Sequence, residues 1–274
     1  MILTDVLTAT DLNPMYYKFI PVFIKAWRKL FPEINIHIVL IATEIIEELK
    51  PYEEYIKLFS PIEGIKTAFI AQNIRLFYPA LIDAVGGVLI SDMDMIPMGR
   101  SFYVNSIKNI PDEKFVCYRP LDCVGPNEMV ICYNIARPNV WKEVFNIHSI
   151  DDARDALIEN YGLYVGERIS HMPNYGHNHK GWIGDQLYLY KKTQEWNKRT
   201  DNLVILDNQI HVIRNSGDVP DIQNSYYRLW MQFPSVSVQI IKDDRMSDFH
   251  MPRPYGGENK NIIDMVVGVL DFGK

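Results

Sequence analysis

The residues with the clearest potential for chemistry are Asp92 and Asp94, in the segment Asp92-Met93-Asp94. They follow the apolar run Val88-Leu89-Ile90, which is typical of a buried strand, so the two carboxylates stand at the carboxyl end of that strand. Two aspartates at this spacing can both turn oxygens toward one hard divalent cation, which can also bridge to the oxygens of a diphosphate. The segment therefore predicts a site for Mg²⁺ or Mn²⁺.

An alternative interpretation is that the two aspartates are solvated acids at a strand end. The residues on both sides are apolar, however, and Met95-Ile96-Pro97-Met98 follows directly. An acidic pair in apolar surroundings is costly without a bound cation, because burial disfavours the charged carboxylate. This context favours the metal site over the alternative.

A second group of candidate ligands lies in the segment Gly162–Gly184, which is rich in Gly, His, Asn and Tyr and is expected to be a functional loop. His177 and His179 have the spacing of a strand-like pair of zinc ligands. No nearby cysteine and no helical His-Glu-x-x-His segment supports zinc, whereas Tyr175 and Trp182 are of the kind that stacks on sugar rings. We therefore favour a loop on the acceptor side over a zinc site.

The elements that must position these residues alternate between strand and helix through the first half of the chain. This alternation predicts an α/β fold with a mostly parallel central sheet flanked by helices, followed by a less regular C-terminal half. Strands are predicted at Ile2–Thr8, Ile34–Ile41, Val88–Ile90, Glu128–Tyr133, Leu203–Leu206 and Val236–Ile241. In the first half, helices are predicted from Asn13 to Pro32, in a segment beginning at Pro51, and over Ala71–Val85 with an interruption at Pro79. In the second half they are predicted over Pro138–Phe145, Asp151–Asn160 and Gln186–Lys192. Ile262–Leu270 is a final apolar segment.

Composition places the chain among globular proteins that do not bind nucleic acid. Its 274 residues are 47% hydrophobic and 23% charged, and 28 Lys and Arg face 34 Asp and Glu, with no basic run. There is no repeat, low-complexity tract or linker, so we expect one domain over residues 1–274. Within it, residues 1–133 form the nucleotide- and metal-binding half, and residues 134–274 form the acceptor half with a C-terminal metal-ligand segment.

The cysteines and the N-terminal sequence bear on the compartment. Cys117, Cys123 and Cys132 are odd in number and have no C-x-x-C spacing, which argues against a disulfide framework and a zinc ribbon. Met1 leads directly into a strand-like segment, without the pattern of a signal peptide, and no transmembrane segment is predicted. We expect a cytoplasmic protein.

Three segments carry a resemblance to a known family: Asp92-Met93-Asp94, Gly181–Leu187 and Asp248–Tyr255. Over most of its length the sequence resembles the nucleotide-sugar-dependent glycosyltransferases of the GT-A fold, and most closely the glycogenin-like and bacterial galactosyltransferase-like branch. The resemblance implies transfer of a hexose from a nucleotide diphosphate sugar, with UDP as the expected nucleotide, to a hydroxyl of a glycan, glycoconjugate or protein acceptor. It also implies retention of configuration.

The same resemblance implies residues for the nucleotide. Thr8, Ala9 and Thr10 match the loop that holds the nucleoside, and Tyr16 is the aromatic partner expected for the base. Met93 joins Asp92 among the nucleotide-sugar contacts. Read from the residues alone, Thr8-Ala9-Thr10-Asp11 is equally consistent with an N-cap turn.

Arg75 falls where the family has an arginine before the D-x-D strand, and its planar fork suits a diphosphate or a carboxylate. The alternative is an exposed helix arginine. Asn127 matches a residue that hydrogen-bonds sugar hydroxyls, or else is a simple turn residue. Glu128 and Met129 replace the family's small residues, so the identity of the sugar does not transfer.

The resemblance also implies the sugar end of the site and the third metal ligand. Asp185 and Gln186 match a helix start that presents a carboxylate and an amide to the transferred sugar, although Asp185 could simply be the helix N-cap. His250 matches a histidine that completes a metal site with Asp92 and Asp94. Arg253 stands near the position of the family's diphosphate-binding lysine, but closer to the histidine.

Two other classes of function are alternatives for these residues. A nucleotidyltransferase also uses a carboxylate-bound metal, but it needs a glycine-rich basic loop after the first strand, and Thr8–Asn13 is not one. A non-catalytic carbohydrate-binding relic of the fold is the other alternative. The joint presence of Asp92, Asp94, Asp185 and His250 argues against it.

Overall fold

The computed structural model describes residues 1–119, 127–165, 181–206, 209–213, 225–230 and 243–270. The strands are β1 (Leu3–Asp11), β2 (Asn35–Ile41), β3 (Ile56–Phe59), β4 (Gly87–Ile90), β5 (Met95–Pro97), β6 (Phe115–Cys117), β7 (Asn134–Ala136), β8 (Leu203–Ile205), β9 (Gln209–Ile213), β10 (Ser225–Trp230) and β11 (Met246–His250). The helices are α1 (Ile20–Leu30), α2 (Thr67–Phe77), α3 (Arg100–Asn105), α4 (Pro138–Phe145), α5 (Ile150–Val165), α6 (Gly184–Thr200) and α7 (Gly257–Val269). Within these ranges, 3₁₀ helices cover Tyr17–Phe19, Glu47–Tyr55 and Tyr78–Leu81.

The larger sheet has the strand order β3-β2-β1-β4-β7-β6-β8. Its first four strands are parallel, β7 pairs antiparallel with β4 and β6, and β8 is parallel to β6. Neighbouring residues of β1 point to opposite faces: Val6 lies in a core with Phe23 and Trp27 of α1, and Leu7 in a core with Ile70 of α2. The predicted α/β fold with a mostly parallel sheet flanked by helices is confirmed.

A second sheet, in the order β5-β11-β10-β9, joins the segment after Asp94 to the C-terminal part of the chain. β11 pairs antiparallel with β5, and His250 is the register partner of Met95. The backbone N–H of Met251 also donates to the carbonyl oxygen of Asp94 at 2.9 Å. This pairing places the C-terminal histidine beside the strand-end aspartates.

Three predicted helices begin or end elsewhere. The first begins at Ile20, after a 3₁₀ turn, with Pro21 in its opening turn, where a missing N–H costs nothing. Pro51 lies inside the 3₁₀ helix Glu47–Tyr55 and does not open a helix. The helix predicted over Ala71–Val85 is Thr67–Phe77, because the ring of Pro79 cannot continue an α-helix and instead lies in the 3₁₀ turn that follows.

The strand predicted at Glu128–Tyr133 is wrong, since that segment is irregular and the strand is Asn134–Ala136. The side-chain amide of Asn134 donates to the carbonyl oxygens of Val130 and Ile131, each at 2.6 Å. The side chain of Asn134 thus satisfies backbone acceptors that a neighbouring strand would satisfy in a sheet. The apolar residues are therefore buried without forming a strand.

The C-terminal half contains longer helices than predicted. α5 extends to Val165, into the segment expected to be a loop, and α6 continues to Thr200. The rest of that expected loop, including Tyr175, His177 and His179, lies outside the described residues, as does the strand predicted at Val236–Ile241. No helix in the described ranges is long and apolar enough to cross a membrane.

Candidate active site

A cavity of about 300 Å³ lies at the carboxyl ends of β1 and β4, where ligands of open α/β sheets bind. Eleven of the thirteen predicted site residues line it: Ala9, Thr10, Tyr16, Arg75, Asp92, Met93, Asp94, Asp185, Gln186, His250 and Arg253. Thr8 is buried within β1 behind the cavity wall, and Asn127 is exposed with a left-handed φ of 65°. Neither is among the lining residues.

Asp94 is a buried carboxylate with two cationic partners. Its Oδ2 lies 3.3 Å from Nε2 of His250 and 3.3 Å from Nε of Arg253. Burial acts to raise the pKa of Asp94, but the charge and hydrogen bond of His250, with Arg253, hold it below its usual value. Burial likewise acts to lower the pKa of His250, and the charge of Asp94 raises it above the usual value.

Arg75 contacts two more of the carboxylates in the cavity. It lies in the last turn of α2 and is only 7% exposed, so it is not the exposed arginine of the alternative interpretation. One guanidinium nitrogen contacts Asp92 Oδ1, and the other lies 3.5 Å from Asp185 Oδ2. The same guanidinium donates to the carbonyl oxygen of Ser91 at 3.3 Å, which fixes it against the end of β4.

Asp185 lies in the first turn of α6, but the N-cap position belongs to Ile183, so the N-cap interpretation of Asp185 is wrong. Its Oδ1 accepts a hydrogen bond from the backbone N–H of Gln186 at 2.8 Å. Burial raises the pKa of Asp185 to about 7, although Arg75 acts to lower it. The carboxyl group can therefore change its protonation state near neutral pH.

Tyr16 and Arg253 form a second contacting pair in the cavity lining. Arg253 Nη1 donates to the Tyr16 hydroxyl at 2.6 Å, and its guanidinium lies 5.5 Å from the centre of the Tyr16 ring. Asp11, at the end of β1, accepts from the Thr67 hydroxyl at 2.8 Å. Because β1 continues through Asp11, the N-cap interpretation of Thr8–Asp11 is wrong.

The donor set and the charge of the cavity fit a divalent cation. Four aspartates line it (Asp11, Asp92, Asp94 and Asp185), against two arginines and His250. A diphosphate adds further negative charge, which a hard cation bound by carboxylate oxygens and an imidazole would offset. Within the described ranges no three Asp, Glu, His or Cys side chains are already grouped closely enough to hold a metal ion. Asp92 pairs with Arg75, and Asp94 pairs with His250 and Arg253, so a cation would replace or adjoin these ion pairs.

Sequence reasoning missed several lining residues. Ala68, Ala71 and Gln72 lie on the same face of α2 as Arg75, and the helical spacing from Arg75 could have identified them. The ring of Trp230 contacts that of His250, with ring centres 4.8 Å apart and the planes tilted by 47°, and no local sequence pattern identifies it.

A buried ion-pair network around Asp248, two residues before His250, supports β11. Asp248 is fully buried and accepts from Arg228 Nε at 2.8 Å and from the Ser247 hydroxyl at 2.6 Å, with Arg119 Nη1 at 3.8 Å. A buried charge is tolerated only when it is paired and hydrogen-bonded in this way. The network fixes the strand that presents His250.

Comparison with known proteins finds similarity at the level of structure. No family model and no curated protein matches the sequence. The solved galactosyltransferase LgtC, in complex with donor and acceptor sugar analogues, aligns with 97% of this chain and 95% of its own, at 12% identity and a TM-score of 0.48. The glycosyltransferase GlyE of Streptococcus pneumoniae aligns over 91% and 79%, at 13% identity and a TM-score of 0.34.

A glycosyltransferase involved in glycosylation of the major capsid of PBCV-1 aligns with 97% of this chain and 98% of its own. The identity is 10% and the TM-score 0.37. Alignments at these identities and scores assign neither substrate nor site residues, so the chemistry of this chain has to be inferred from its own cavity.

Proposed function

We propose that this chain is a metal-dependent glycosyltransferase that moves a hexose from a nucleotide diphosphate sugar, preferably a UDP-sugar, to an acceptor hydroxyl, with retention of configuration. The observation that carries the proposal is the cavity in which Asp92 and Asp94, at the end of a buried strand, meet His250 from the far end of the chain and Asp185 from α6. The resemblance of these segments to the GT-A glycosyltransferases supports it.

In this proposal Asp92, Asp94 and His250 hold Mn²⁺ or Mg²⁺. The bound cation supplies Lewis-acid stabilisation of the departing diphosphate. Arg75 and Arg253, which pair with the same carboxylates, are within reach of an anion placed there and add positive charge. The cation and the two arginines together offset the charge of the leaving group.

Different lining residues meet different parts of the substrate in this proposal. Tyr16, whose hydroxyl is held by Arg253, offers an aromatic face to the base. Asp185 and Gln186 offer a carboxylate and an amide to the hydroxyls of the transferred sugar. Ala9 and Thr10, at the end of β1, contact the nucleoside.

A thermal-shift series tests the proposal. UDP, GDP, ADP and CDP are each added with and without Mn²⁺, and we expect a metal-dependent rise of the melting temperature with one of them, UDP being preferred. Hydrolysis of the matching nucleotide sugars then tests turnover. A series with no metal-dependent shift for any nucleotide would overturn the proposal.

We expect His250→Ala to weaken Mn²⁺ binding about 10- to 100-fold, because it removes the one nitrogen ligand of the proposed site. The KM for the acceptor should change much less. Titration calorimetry with Mn²⁺ measures the first effect and steady-state kinetics the second. His148→Ala, at an exposed histidine, is the matched control. A larger change in acceptor KM than in metal affinity would assign His250 to the acceptor instead.

We expect Asp185→Asn to lower transfer about 10- to 100-fold, the worth of a charge-assisted hydrogen bond, with little change in nucleotide diphosphate binding. Since the pKa of Asp185 is about 7, its carboxylate forms as the pH rises through 7, and wild-type transfer at saturating Mn²⁺ should rise over the same range. Arg75 and Asp92 are the charged groups that face it.

A pH profile of transfer by the wild type and by Asp185→Asn checks this expectation, and the variant should lack the rise near pH 7. Saturating Mn²⁺ separates the effect from the titration of His250. An unchanged profile in the variant, or a loss of nucleotide diphosphate binding, would remove Asp185 from the proposed role.

A further inference from the structure

Oδ2 of Asp94 has two nitrogen neighbours, one of which the proposed metal site does not use. Nε2 of His250 and Nε of Arg253 each lie 3.3 Å from this oxygen. The ligands of Mg²⁺ lie about 2 Å from the ion at the corners of an octahedron, so neighbouring ligand atoms are about 3 Å apart. The spacing between Asp94 and His250 is close to this value. Arg253 is therefore the group that contests the oxygen with a cation.

The guanidinium of Arg253 is held near Asp94 by a second partner. Its Nη1 donates to the Tyr16 hydroxyl at 2.6 Å, and the group lies 5.5 Å from the centre of the Tyr16 ring. The side chain of Asp94 is 8% exposed and that of Arg253 is 23% exposed, so water and salt screen their attraction less than that of a surface ion pair. A cation that binds Asp94 has to overcome this attraction and the repulsion of the guanidinium charge.

The backbone on both sides of Arg253 is held in place, whereas its side chain is partly exposed. The N–H of Met251 donates to the carbonyl oxygen of Asp94 at 2.9 Å, and the side-chain amide of Asn259 donates to the carbonyl oxygen of Pro254 at 3.1 Å. The guanidinium lines the cavity, and its planar fork matches the oxygens of a phosphate group. A diphosphate in the cavity can therefore attract it away from Asp94 through rotation of the side chain alone.

We infer that Arg253 competes with the metal ion for Asp94 and turns to the diphosphate when the nucleotide binds, so that metal and nucleotide bind cooperatively. The inference rests on the proposed function and adds the regulation of the same site. Arg253 then has two effects of opposite sign, because it weakens the binding of the metal alone and strengthens the binding of the nucleotide. By linkage, nucleotide and metal raise each other's affinity by the same factor.

Mn²⁺ titrations of the wild type and of Arg253→Met, with and without saturating UDP at one fixed pH, test the inference. The paramagnetic resonance signal of free Mn²⁺ gives the affinity. Without UDP, we expect Arg253→Met to bind Mn²⁺ about five- to tenfold more tightly than the wild type, because the competing charge is gone. With UDP, the two proteins should bind Mn²⁺ with similar affinity, since the wild-type guanidinium has left Asp94.

Two further variants complete the series. Arg253→Gln removes the charge but can still donate to the Tyr16 hydroxyl, and it should behave like Arg253→Met. This variant separates the loss of charge from the loss of that hydrogen bond. Arg199→Met, at an exposed arginine of α6, is the matched control and should bind Mn²⁺ as the wild type does in both conditions. The melting temperature of each variant establishes that it is folded.

Three results would overturn the inference, and they separate it from the proposed function. Unchanged or weaker binding of Mn²⁺ alone by both neutral variants would exclude competition at Asp94. Equal tightening with and without UDP would show that Arg253 does not turn to the diphosphate. In either case, binding of UDP to the wild type with Mn²⁺ leaves the proposed function standing. If UDP does not bind to the wild type with Mn²⁺, the UDP-sugar proposal fails and the coupling fails with it.

Discussion

Replacing Asp94 with asparagine is expected to weaken Mn²⁺-dependent nucleotide binding at least about 100-fold and to abolish measurable transfer. The carboxylate is buried and pairs with His250 and Arg253 at 3.3 Å each. Asparagine keeps the shape of the side chain but carries no charge. The proposed metal site then loses one of its two carboxylate ligands.

The measurement is the affinity for UDP with and without Mn²⁺, together with the melting temperature of each variant. Asp83→Asn makes the same substitution at an exposed aspartate and should leave nucleotide affinity unchanged. Asp94→Asn should still unfold cooperatively, because its shape is preserved. Unchanged nucleotide affinity in the presence of metal would refute the proposed metal site.

Replacing Arg75 with methionine is expected to lower transfer at least about 100-fold and to reduce the free energy of unfolding by about 3 kcal/mol at pH 8. The substitution removes the shared partner of Asp92 and Asp185, so ionisation of the buried Asp185 becomes more costly. Asp92 is one-third exposed, so water relieves its part of the loss. The larger part of the destabilisation therefore comes from Asp185.

The destabilisation should be smaller at pH 6 than at pH 8. Asp185 has a raised pKa of about 7, so below that value it is mostly neutral and gains little from Arg75, whereas above it the carboxylate needs its partner. Urea unfolding at both pH values measures the difference. Arg199→Met, at an exposed arginine of α6, is the control.

Arg75→Lys should show an intermediate loss of transfer, because lysine keeps the charge but cannot contact two carboxylates with one planar group. Equal stability of wild type and Arg75→Met at pH 8 would contradict the ion-pair role of Arg75. Unchanged transfer by Arg75→Met would exclude its proposed role with the diphosphate.

The local sequence pattern was sufficient to predict the strands and helices that are marked by a run of neighbouring residues. β4 covers Gly87–Ile90, one residue longer than predicted. All four residues are buried, and a strand buried on both faces is apolar throughout, which made it recognisable in the sequence. Helix α4 covers Pro138–Phe145 as predicted, since proline is favoured in a first turn and the apolar residues have helical spacing. Such patterns depend only on burial and periodicity.

Sequence patterns predicted the wrong structure where apolar residues are buried in an irregular segment. The apolar run in Glu128–Tyr133 is typical of a strand, but backbone carbonyls of this segment accept hydrogen bonds from the side chain of Asn134. Asn127, expected at the donor sugar, is consequently exposed and outside the cavity lining. Hydrogen bonds of this kind depend on where one side chain lies in the folded protein. The spacing of hydrophobic residues in the sequence contains no information on that position.

The sequence by itself determined that two carboxylates follow a buried apolar strand, and hence that they lie at the edge of the sheet where ligands bind. Only the tertiary structure decided which groups face them. Asp94 meets His250 across 156 positions because β11 pairs with β5, and Arg75 reaches both Asp92 and Asp185 because α2 and α6 pack on the same face of the sheet. Strand pairing and helix packing are set by the whole core, so no local segment contains that information.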